Sequence, residues 1–155
     1  MSSAVNETFS RLNAKQSEIK GGCGKVAPGE PFYITHAWDE GDAGRQGDLY
    51  LVKRSRVTPG YIRQENPSLR LVPGSSIGAS HRLASLEGVE VWYPSEFSLD
   101  DLNATVGPEL VFRRGNVIEH DRHGNAIIEV TPGDSIVIGC EYQVEGDREA
   151  RRVRD

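Results

Sequence analysis

No stretch of this 155-residue chain approaches the ~20 consecutive apolar residues that cross a bilayer as a helix. The opening MSSAVNETFS has neither a basic n-region nor an apolar h-region, so no secretory leader is expected. Cysteine is scarce. Cys23 and Cys140 stand alone, without CxxC spacing. These absences predict a soluble cytoplasmic protein with reduced thiols and no membrane partner. There is no GxSxG, no Walker loop and no dinucleotide fingerprint, which removes the nucleophile-elbow, P-loop and Rossmann readings. Basic charge is also short: the net charge of −5 argues against nucleic acid or an anionic membrane as partner. The four arginines near the end, in EGDREARRVRD, stand among acids and read as a solvated tail.

Turn formers, by contrast, are plentiful. The 17 glycines and 8 prolines exceed the usual share of roughly 12% and imply many short strands. A helical period occurs only over residues 4–20, where Val5, Phe9, Leu12 and Ile19 form one stripe. Gly21 and Gly22 end it, and GGCGKVAPGEP follows as a linker. Residues 1–30 therefore read as a helical arm and 31–155 as a β domain. The apolar stripe must be covered, either by its own body or by a partner.

After the linker the period becomes two. Phe32, Ile34, His36 and Trp38 share a face, so His36 reads as a satisfied core histidine. DLYLVK (48–53) has apolar residues on both faces. Val89, Val91 and Tyr93 oppose Glu90 and Trp92. In 135–144, Ile136, Ile138, Cys140, Tyr142 and Val144 alternate with Ser135, Val137, Gly139, Glu141 and Gln143. That places Cys140 on an apolar face as an inert thiol. TPGY, VPGS, RRGN, RHGN and TPGD punctuate these runs. The expectation is an all-β protein: a single antiparallel β-sandwich or barrel, with 110–113, 117–120, 126–130 and 135–144 forming a meander.

Two of the four histidines lie three apart in VIEHDRHGN (117–125). On a continuous strand they would face opposite ways, but across a turn the imidazoles can converge, with Gly124 permitting positive φ. Zinc asks for three or four protein ligands. His81, in IGASHRL, is the best third ligand to join His120 and His123, and Glu119 or Asp121 the best fourth. Cys23 in GGCG has no neighbouring histidine or helix start to activate it.

Four motifs, in order, carry a resemblance over residues ~46–155: QGDLYLVKRS, GASHRL, EHDRHGNAIIEVTPGD and CEYQVEGDREARRVRD. They resemble the Gly-Asp strand, Gly-His-x-His, His-Glu-Glu-His and Arg-Glu-Tyr motifs of a small bacterial and phage protein family of no assigned function. The resemblance implies a set of four imidazoles and hence a transition metal. His81, His120 and His123 match it. Ala79 stands where the first histidine of the earlier pair would be, and Asp121 and Arg122 replace the two glutamates.

Two functions follow as expectations. The preferred one is a non-enzymatic β module for binding or assembly, without a cofactor. It would associate with itself or a protein partner through Val5, Phe9, Leu12 and Ile19. An accessory of a phage or bacterial particle, resembling a capsid decoration protein, is one version, and the particle would be assembled in the cytoplasm. The alternative is a metal-dependent enzyme or metal-binding protein of cupin-like or small-barrel form, with zinc or another transition metal on His81, His120 and His123.

Overall fold

The alternation read from the sequence becomes two packed sheets. The computed structural model describes residues 30–73, 80–95, 106–142, 144–145 and 151–152. The helix expected over 4–20, its stripe Val5, Phe9, Leu12 and Ile19, and Cys23 lie outside the described residues. Among the described residues there is no helix, hence none long and apolar enough to cross a membrane.

The strands are β1 (Phe32–Ile34), β2 (Ala43–Gln46), β3 (Leu49–Arg54), β4 (Tyr61–Arg63), β5 (Arg70–Pro73), β6 (Ser80–Leu83), β7 (Val89–Pro94), β8 (Val106–Phe112), β9 (Asn116–His120), β10 (Ala126–Ile128), β11 (Ile136–Tyr142), β12 (Val144–Glu145) and β13 (Arg151–Arg152). One sheet runs β1-β10-β9-β6-β5 and the other β2-β3-β11-β8-β7-β4. Among the described residues, all pairings in these sheets are antiparallel except β1 with β10. The architecture is a sandwich, and its core lies between the sheets. Phe32, Ile34, Leu49, Leu51, Leu110, Phe112, Ile118, Ile128, Ile136 and Ile138 are all but sealed from solvent there. Each such side chain contributes about 1.5–3 kcal/mol by leaving water.

The expected meander does not form. β8 and β11 pair in the six-stranded sheet, whereas β9 and β10 pair in the five-stranded one. RRGN and TPGD thus carry the chain between sheets and close no hairpin. The reason is burial on both faces of β8 and β11, where Val111 and Val137 are shielded as well as Leu110 and Ile138. Strands of that kind belong in the middle of a wide sheet. In the tail, Val144–Glu145 pairs antiparallel with Arg151–Arg152.

His36 is also corrected. The two-residue period stops at Ile34, because Thr35 Oγ1 accepts from Ala37 N–H and Thr35 O accepts from Trp38 N–H. This turn sends His36 to the surface, where its Nε2 accepts from Thr131 N–H at 2.9 Å. Trp38 returns to the core and stacks on Phe32, with ring centroids 6.4 Å apart.

Cys140 is buried as read. Burial pushes its thiol well above the usual range, and Glu109 and Glu141 add to the shift. In a Cys23→Ser variant, thiol reagents should therefore label Cys140 only as fast as the protein unfolds. Prompt labelling of the native protein would contradict this packing.

Candidate functional site

The loop 121–125 closes the β9–β10 hairpin, so VIEHDRHGN is a strand end and a turn. The turn brings His120 and His123 together, with ring centroids 4.7 Å apart. β6 pairs with β9 in a register that sets His81 directly opposite His120, at 4.5 Å between centroids. His81, Leu83, Ile118 and His120 are the inward positions of these strands, and all four are buried. His123 is half-buried. The three histidines singled out in the sequence thus meet at one end of the space between the sheets.

The expected fourth ligands face elsewhere. Glu119 alternates onto the outer face, opposite Arg82. Asp121 is exposed and takes the Arg82 guanidinium at 3.0 Å. Ala79 lies outside the described residues.

Two residues not singled out by the sequence complete the cluster from the other sheet. Gln46 ends β2 and Asp48 immediately precedes β3, and Gly47 turns between them at φ 61°. Both side chains are buried and both reach His81. Its Nδ1 lies 2.8 Å from Gln46 Oε1, and its Nε2 lies 3.3 Å from Asp48 Oδ1. The Gln46 amide nitrogen donates to Ile118 O and to Gly124 O, each at 2.9 Å. That fixes which end of the amide faces the imidazole, so Nδ1 is the donor. The available signal was QGD, a turn with two polar residues flanking a glycine just before an apolar strand. Nothing local says that the turn lands on a histidine 35 residues on.

Gly124 plays a different part from the one expected. It is not among the glycines at positive φ. A Cβ there would instead overlap the backbone of Glu30 and Pro31, where the chain enters β1. His36, the remaining histidine, borders a separate open hollow of about 390 Å³ with Thr35, Ala37, Glu129, Val130 and Thr131.

As placed, the cluster does not fit a metal ion. Among the described residues no three His, Cys, Asp or Glu side chains converge as a metal-holding group. A metal takes the lone pair of an imidazole nitrogen. His81 has its Nδ1 proton directed at Gln46 Oε1, so that nitrogen has no lone pair to offer. The Nδ1 lone pair of His120 accepts from Arg122 N–H at 3.0 Å. No step is derived through a metal here.

The chain matches no family model, no curated protein and no solved structure.

Proposed function

We propose that the protein is a non-enzymatic β module for binding and assembly, joining copies of itself through the arm at 1–30 and an apolar margin of the β body. The supporting observation is the flank where both sheets end. Among the described residues, β4 is the last strand of the six-stranded sheet and β5 the last of the five-stranded one, joined by residues 64–69. Ile62 on β4 and Leu69 beside β5 are 54% and 44% exposed. Tyr93 Oη donates to Leu71 O at 2.6 Å, which ties β7 of one sheet to β5 of the other along this flank. A sheet edge is a template for another chain, and apolar side chains beside it supply a driving force for contact. The stripe Val5, Phe9, Leu12 and Ile19 is what the arm brings to a neighbour. A particle accessory of capsid-decoration type, the setting suggested by the resemblance, is one concrete form.

Light scattering after size exclusion tests the reading. The full chain is expected to be an oligomer. Deleting residues 1–30, or combining Ile62→Asp with Leu69→Asp, is expected to give monomers with an unchanged β-type circular dichroism spectrum. Variants that assemble as the full chain does would end this proposal.

A second reading, a metal-binding protein or metal-dependent enzyme of cupin-like form, is favoured by the meeting of His81, His120 and His123. It requires His81 to leave Asp48 or Gln46, and His120 to give up its contact with Arg122 N–H. One zinc per chain in native mass spectra, lost in His123→Ala, is the expected signature. A wild-type chain without metal, purified without chelators, would count against it.

A further inference from the structure

We propose that His81 is a metal-independent hub locked by Gln46 and Asp48, which act as its positioning residues. The imidazole that the resemblance assigns to a metal set does a different job in this chain. The geometry gives both ring nitrogens of His81 a partner within the chain. Both amide protons of Gln46 go to backbone carbonyls, one on β9 and one in the 121–125 turn. Its Oε1 is thereby held on Nδ1 of His81, which carries a proton and has no lone pair to give. The remaining nitrogen, Nε2, faces Asp48, and the side chains of both residues are sealed from solvent. His120 stands against His81 and is itself in ring contact with His123.

What the lock joins gives it a purpose. Gln46 and Asp48 belong to the β2–β3 hairpin of the six-stranded sheet, and His81, Ile118 and Gly124 belong to the five-stranded sheet and its hairpin. Through one imidazole and one amide, the QGD turn fixes β6, β9 and the 121–125 turn. This is the cross-linking that a bound metal supplies elsewhere, achieved with hydrogen bonds. The inference is independent of the assembly reading, since it concerns the inside of one chain.

Long-range ¹H–¹⁵N correlation of the imidazoles in the full-length protein tests it, because the spectrum reports which ring nitrogen is protonated. Neighbouring histidines should show opposite patterns: Nδ1 of His81 protonated and Nδ1 of His120 unprotonated. One equivalent of zinc should leave both His81 nitrogens unshifted. Gln46→Met should move the Nδ1 signal and Asp48→Asn the Nε2 signal, a readout that loss of packing alone does not give. A His81 signal that shifts with zinc, or an unprotonated Nδ1 in the wild-type protein, would overturn the proposal. The wild-type spectrum decides even if a variant fails to fold.

Discussion

Asp48→Ala is expected to lower the unfolding free energy by about 3 kcal/mol. That is the upper end of the cost of stranding a buried polar group. With Asp48 gone, Nε2 of His81 has lost its carboxylate in a place that solvent does not reach. The side chain cannot escape, because the Gln46 contact and the His120 ring hold it. For a domain of this size the loss corresponds to a fall of roughly 6–12 °C in Tm. Asp48→Asn keeps the shape and one oxygen, so it should cost clearly less. Urea denaturation of the three proteins at fixed concentration gives both differences. Equal stability of Asp48→Ala and wild type would show that the His81 contact carries no weight.

Gly124→Ala is expected to cost about 2 kcal/mol by opposing effects. Alanine restricts the unfolded chain, which favours the native state by about 0.4–1 kcal/mol. The new Cβ meets the backbone of Glu30 and Pro31, which cannot swing away as a long side chain does. Overpacking of this kind costs typically 1–3 kcal/mol, so the steric cost prevails. The strain falls where Phe32 N–H donates to Asn125 O and where β1 begins its parallel pairing with β10. Amide exchange of Phe32 and Tyr33 should quicken in the variant, while that of β11 changes little. A stabilised variant would mean that Glu30 and Pro31 do not lie against the turn in solution.

The strand pattern was legible because side-chain period follows directly from which face is buried. Ile136, Ile138, Cys140 and Tyr142 alternate inward as read, and Leu49, Leu51 and Val52 are covered on both faces of β3. The meeting of His120 and His123 was legible from the turn signals between them, and His81 from its place at the start of a strand. Sheet membership was not. RRGN and TPGD look the same whether the chain doubles back or crosses to the other sheet, and packing decides which. His36 was misread because Thr35 caps a turn with its own hydroxyl, which an alternation count cannot see. Glu119 could have been excluded by the same alternation that placed His120 inward. Gln46 and Asp48 were invisible as site residues because their partner comes from a strand that neither neighbours in its sheet.

At the centre stands the proposal of a β module that joins copies of itself without a bound metal. Native mass spectrometry of the untagged chain, purified without chelators, tests it most directly. The account predicts an oligomer at the summed mass of bare chains. A monomer carrying one metal ion per chain would contradict it on both counts, and a bare monomer would contradict self-association.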